Sequence, residues 1–142
     1  MNARDPKLIA LHFNECINNQ DLSGLSHLMT DDHAFIDREG TVHQPKQVMI
    51  DGWRQFFKSF PKYRNTFNRV ESKDNLVAIL GFAYWSEQQP YDPVIWVATI
   101  VGDLVCEWRV YADTRENREQ FDLILPREGE LHCDEWRAAT TA

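Results

Sequence analysis

The sequence is poor in the residues that mark special chemistry or a special compartment. Three cysteines in 142 residues, Cys16, Cys106 and Cys133, form an odd set with no CxxC spacing, so neither a disulfide framework nor a zinc knuckle is indicated. His132 beside Cys133 is a poor chelate, because two adjacent residues supply too few ligands for a metal. The six glycines are scattered, and no phosphate-cradling loop, G-x-S-x-G elbow or HExxH helix occurs. Nothing calls for a metal, nucleotide, flavin or other cofactor. Basic residues are outnumbered, 15 Lys plus Arg against 22 Asp plus Glu, and a net charge of -7 argues against nucleic acid as a partner. No apolar run reaches membrane-spanning length, and Lys7, His12, Asn14, Glu15, Asn18 and Asn19 interrupt every hydrophobic stretch near the start. The expectation is a cytoplasmic chain without membrane contact.

What is present is the composition of one ordinary domain, 43% hydrophobic and 26% charged. We read residues 1–125 as that domain and residues 126–142 as a polar C-terminal tail, whose only large apolar residues are Leu131 and Trp136. Aromatic content reaches 12%, which suggests a large apolar cavity or a broad interface.

The first third reads as helix. Asp5-Pro6 is an N-cap with proline at the first helical position, and Leu8, Ile9, Phe13, Cys16 and Ile17 recur at near-helical spacing. Asp21 caps a second helix carrying Leu22, Leu25, Leu28 and Met29 and closing at Thr30-Asp31-Asp32. His33 to Asp37 and Thr41 to His43 are short and strand-like about a Glu39-Gly40 turn. Pro45 opens a third helix with Met49, Trp53, Phe56 and Phe60 in one stripe, and Pro61 stops it. The period then changes to that of strands at Tyr63–Ser72, Leu76–Ser86, Val94–Val101 and Leu104–Asp113. The strand from Leu76 is apolar on both faces, so both sides need cover, and a homodimer is the expected source of the second cover, against a sandwich-like core within one chain.

This order of elements resembles the cone-shaped α+β fold of the nuclear transport factor 2-like (NTF2-like) superfamily, three N-terminal helices packed on a curved mixed or antiparallel β-sheet. The stretch from Asn19-Gln20-Asp21-Leu22 to Asp31-Asp32-His33-Ala34-Phe35-Ile36-Asp37 looks like that superfamily's opening signature. Phe56-Phe57-Lys58-Ser59-Phe60-Pro61 is similar to the third-helix ending of its SnoaL-like branch, and Glu107-Trp108-Arg109-Val110-Tyr111-Ala112-Asp113 to its closing strand. The fold hosts many functions, so the chemistry rests on particular positions.

Two carboxylates stand out. The resemblance puts Asp37 where ketosteroid isomerase relatives carry a proton-shuttling carboxylate, and desolvation at the lip of an apolar cone would raise its pKa. The other reading is a solvated strand-end residue. Those relatives also use a first-helix tyrosine as hydrogen-bond donor, and the matching residue here is Phe13. Asp113 shares strand parity with Glu107, Arg109 and Tyr111, so Arg109 is placed to hold and orient it. The Trp-Arg-x-Tyr-x-Asp pattern is similar to the closing strand of limonene epoxide hydrolase relatives, whose final aspartate activates water. Their second Arg-x-Asp is replaced here by Gly81-Phe82-Ala83-Tyr84. SnoaL-type cyclases use a late-strand aspartate for aldol closure. The other reading of this row is an outward ion-pair ladder. The expected site is therefore catalytic Asp113, Asp37 and Arg109, with Phe13, Trp53, Tyr84, Trp96, Tyr111 and His12 around a small hydrophobic molecule. Tyr84's side of its strand is expected to line the pocket and Trp85's side to face away, and His43 or His33 is placed to pair with Asp37. Cofactor-independent isomerase, cyclase or hydrolase chemistry is the first expectation, and a non-catalytic binding or docking protein is the second.

Overall fold

The structure is a computed structural model, and it describes residues 5–89 and 91–123. Helix α1 spans Pro6–Asn18, started by the Asp5 side chain accepting from the Lys7 N–H. Helix α2, Leu22–Leu28, is started the same way by Asp21 and the Gly24 N–H. Strand β1, Met29–Ile36, follows directly; the chain turns extended at Met29 rather than after Asp32, as the sequence suggested. Strand β2 is Val42–His43, and helix α3 is Lys46–Ser59. Strands β3 (Arg64–Lys73), β4 (Leu76–Tyr84), β5 (Asp92–Val101) and β6 (Leu104–Ala112) then fall within two residues of their expected bounds. A fourth helix, α4 at Arg115–Gln120, was not foreseen; Thr114 caps it through the Asn117 N–H. The tail expected at 126–142, with His132, Cys133 and Trp136, lies outside the described residues.

The six strands form one mixed sheet in the order β2-β1-β6-β5-β4-β3. Every pairing is antiparallel except β1 with β6, which is parallel. Register shifts interrupt the ladder in β3 between Phe67 and Arg69 and in β6 between Val105 and Glu107, and such bulges bend a sheet. Gly81 sits opposite the first of them, where a Cβ would collide with the Thr66 carbonyl, so close approach of β3 and β4 requires glycine.

The helices cover one face. Ile9, Phe13 and Ile17 of α1 are fully buried against Val77, Ile79, Trp96, Ala98, Val105 and Trp108 of the sheet. Each such side chain stabilises the fold by about 1.5–3 kcal/mol relative to exposure. A polar clamp ties α1 to β3: the Asn18 side chain accepts from the Asn65 N–H and donates to its carbonyl, while Asn65 Nδ2 donates to Asn14 Oδ1.

The opposite face carries a smaller cluster of Ala78, Leu80, Ile95 and Val97, packed with Tyr111, Phe121 and Leu123. Part of the cover that the sequence assigned to a second subunit thus comes from the chain's own residues after β6. Among the described residues no helix is long and apolar enough to cross a membrane.

Candidate functional site

A cavity of about 580 Å³ opens between α3 and the helix-covered face of the sheet. From α3 come Val48, Met49, Gly52, Trp53 and Phe56, because the stripe that faces the sheet is the one the helical period predicts. Ala83, Trp85, Val94, Trp96, Trp108 and Val110 form the opposing wall. Phe35 and Tyr63 complete it, the Tyr63 ring lying 4.7 Å from Phe56 and 5.0 Å from Trp85 in edge-to-face contact.

Polar groups gather where β1 ends. Asp37 Oδ1 accepts the Glu39 and Thr41 N–H groups, which shapes the turn into β2. That turn brings His43 back beside the same carboxylate, Nε2 to Oδ2 at 3.0 Å. The hydrogen bond from His43, then those from Thr41 and Glu39, hold the Asp37 carboxyl below the usual carboxylate range. This corrects the expected upward shift: the side chain is 29% exposed and richly hydrogen-bonded rather than desolvated. An ionised Asp37 fixes the proton of His43 on Nε2 and leaves Nδ1 with the lone pair.

Beside this pair Arg38 grips Asp92 at the start of β5, with distances of 3.2 and 2.7 Å to its two oxygens. The Trp85 indole N–H donates to Asp92 Oδ2 at 2.9 Å. Asp92 is accordingly held low, chiefly by Arg38 and also by Trp85, while burial pushes the Tyr63 phenol well up and keeps it protonated. The charged mouth and the aromatic wall are thus one connected structure.

Of the residues expected from sequence, Asp37, Trp53 and Trp96 line the cavity. Asp113 does not. Strand β6 ends at Ala112, and Asp113 is held by Arg118 of α4 through two bonds of 2.6 and 2.8 Å. Arg109 pairs in the ladder with Val97 on the far face, and its guanidinium lies 4.7 Å from the Tyr111 ring, which packs against Phe121. Arg109 and Tyr111 therefore share a face, as expected, but not the face of the cavity. The assignment of β4 is reversed as well: Tyr84 lies outside under the Arg64 guanidinium at 4.3 Å, and Trp85 lines the cavity. Phe13 is fully buried behind Trp108, 4.7 Å ring to ring, and supports the wall without lining it. His12 is exposed on the other side of α1. His33 is fully buried, its Nδ1 2.7 Å from the Val105 carbonyl, so the partner of Asp37 is His43.

Sequence reasoning gave no site role to Arg38, Tyr63 or Asp92. Both Arg38 and Asp92 fall between the expected strands, and only the contact across 54 positions reveals the pair. Among the described residues no group of His, Cys, Asp and Glu side chains is arranged to hold a metal.

This architecture recurs among solved proteins. A candidate SnoaL-like polyketide cyclase from Shewanella putrefaciens superposes with a TM-score of 0.68 at 15% identity, over 84% of this chain and 86% of that one. IdmH, a candidate polyketide cyclase from Streptomyces antibioticus, gives 0.64 at 16% identity, over 78% and 93%. An NTF2-like protein of unknown function from Cytophaga hutchinsonii gives 0.66 at 10% identity, over 82% and 98%. At such identities the likeness is one of fold. No curated protein matches the sequence. The sequence profile of the SnoaL-like domain matches residues 10–123, most of the chain, and the chain belongs to that family.

Proposed function

We propose that the cavity binds a small hydrophobic carbonyl compound, polyketide-like or terpenoid-like, and that His43 moves a proton on it without a cofactor. The observation that carries this is the Asp37–His43 pair at 3.0 Å on the lip of an aromatic cavity. An imidazole oriented by an ionised carboxylate is the usual device for taking a proton near neutral pH. His43 Nδ1 would remove a proton next to the carbonyl, leaving an enolate that is either reprotonated elsewhere or attacks a second carbonyl. Asp37 is a positioning residue in this scheme, and it stabilises the imidazolium that forms. The role expected for Asp113 passes to His43, because Asp113 is engaged by Arg118 away from the cavity. The polyketide-cyclase names of two fold relatives are in keeping with the substrate class.

The test is proton exchange. Cyclic and aryl ketones are incubated with the protein in D2O, and loss of the α-proton signal is followed by NMR. Catalysed exchange that falls by about 10²–10⁴-fold in His43→Gln supports the proposal. Exchange no faster than in buffer, with the ketone bound, leaves the second reading, a non-catalytic carrier or docking protein, which the 41% exposure of His43 favours. The homodimer and the cytoplasmic location expected from sequence belong to the proposal too; light scattering and cell fractionation measure them.

A further inference from the structure

The charges around the cavity mouth are unevenly committed. Arg38 closes its fork on both oxygens of Asp92, which also accepts from the Trp85 indole. Asp37 accepts two backbone N–H groups and faces His43. Glu39 is different. It lines the same mouth and is exposed, so a solute reaches it, and among the described residues only its backbone N–H is hydrogen-bonded, to Asp37. Its charge acts on Arg38, but the guanidinium is bonded to Asp92 instead. The turn that presents Glu39 is fixed by that bond to Asp37 and by Gly40, whose φ of 87° is a left-handed conformation open to glycine.

Two further features narrow what that carboxylate would meet. Among the described residues no lysine lines the cavity, and Asp92 already balances the one lining arginine, Arg38, so Asp37 and Glu39 leave the mouth negative. Such a mouth attracts a cation and repels an anion. The same lining includes aromatic rings open to contact, since Phe35, Phe56 and Trp85 are half-buried rather than sealed. Trp85 is the ring joined to the mouth, through its N–H on Asp92, and indole is the side-chain ring that attracts a cation most strongly.

We infer that the cavity is selective for a ring-bearing amine, whose rings fill the aromatic interior and whose protonated nitrogen sits at the mouth against Glu39 and beside Trp85. This rests on the cavity being the binding site, as proposed above, and adds a positive charge to the skeleton that carries the carbonyl. Asp37 contributes to the field at the mouth, and Glu39 is the specificity-determining contact.

Calorimetry with the full chain near neutral pH tests it, using 1-(2-naphthyl)ethylamine, which is protonated there, its neutral isostere 1-(2-naphthyl)ethanol and the anion 2-naphthoate. At low salt the amine is expected to bind about three- to tenfold more tightly than the alcohol, the combined worth of an exposed ion pair and a cation–π contact. Naphthoate binds more weakly than either. In Glu39→Gln the preference for the amine falls to about half or less. It also shrinks in the wild-type chain at about 1 M salt, where the Debye length is about 3 Å, and this arm needs no variant. An amine bound no better than the alcohol, a preference unchanged by Glu39→Gln or by salt, or naphthoate as the tightest ligand overturns the inference. Each of these leaves proton exchange by His43 standing, because exchange is read on neutral ketones. Selectivity for the amine without any exchange upholds the inference and removes the catalytic role instead. Binding of neither the amine nor the alcohol overturns both.

Discussion

Arg38 and Asp92 face each other as parallel forks across the cavity mouth, joining the β1–β2 turn to the first residue of β5 with contacts of 3.2 and 2.7 Å. The side chains are 34% and 16% exposed, so the pair is partly screened. Asp92→Asn keeps an oxygen for the Trp85 N–H and removes the charge. We expect a loss of about 1 kcal/mol after allowing for solvent, and a fall of about 3–5 °C in Tm. Thermal unfolding at low and high salt checks this, because screening should shrink the difference between the two proteins. An equal Tm in both would mean that the fork contributes nothing to stability.

The depressed Asp37 carboxyl has a pH signature. Its contribution to stability is present above the ordinary unfolded value of about 3.9 and is lost as pH falls from there towards the lower folded value. Asp92 behaves in the same direction, so the informative quantity is wild type minus Asp37→Asn. In urea titrations that difference should shrink as pH falls below about 4. A difference that stays level to pH 3 would show that the His43 and turn contacts do not favour the ionised form.

His33 works the opposite way. Burial lowers its pKa, outweighing the Val105 carbonyl and Asp32, which raise it; Lys46 adds to the lowering. The unfolded chain therefore binds this proton more readily than the folded one. Stability should fall as pH drops below the unfolded value of about 6.5. His33→Gln should flatten the curve between pH 7 and 5, measured by urea unfolding. A wild-type curve already flat in that window would sink the assignment.

Two glycines should respond oppositely to alanine. At Gly81 the added Cβ meets the Thr66 backbone, which cannot swing aside, and a loss of about 2–4 kcal/mol is expected. At Gly52, in the exposed part of α3, the nearest heavy atom is Met49 Cε at 4.0 Å. Alanine there should gain about 0.5–1 kcal/mol from helix propensity. Chemical denaturation of the two variants settles the contrast.

Much of this fold was legible because its punctuation is local. Asp5-Pro6, Asp21, Pro45 and the turns at Asp74 and Gly102 set boundaries through hydrogen bonds and backbone preferences that nearby residues decide. Which face of β4 points inward was not local. Leu80 and Ile79 are equally apolar, so alternation alone had no sign; the sign comes from α1 packing on Ile79 and from Phe121 and Leu123 closing over the cluster of Leu80. The same inversion misplaced Tyr84 and Tyr111. Asp113 was misread for another reason. Parity carries a residue to one face only while the strand lasts, and Thr114 begins a helix whose Arg118 turns back to take the carboxylate. Trp53 was found because its helical stripe is unambiguous, and Asp37 through the resemblance to ketosteroid isomerase relatives. Arg38 and Asp92 needed the sheet to be assembled before their pairing existed.

The parallel pairing of β1 with β6 also orders events in time. His33 is bonded to Val105 across 72 positions, so the strand that follows α2 has no neighbour on that side until nearly the whole domain has been made. Contacts this distant in sequence are slow to close, because a long loop must be ordered before any bond repays it. The local hairpins of β3 to β6 are positioned to form first and to present an edge onto which β1 docks. During synthesis the first sixty residues, with their helices and the β1–β2 hairpin, would wait with Phe13 and Trp53 uncovered by the later strands. The aromatic wall that makes the cavity is therefore also apolar surface left open to aggregation until the last strand emerges.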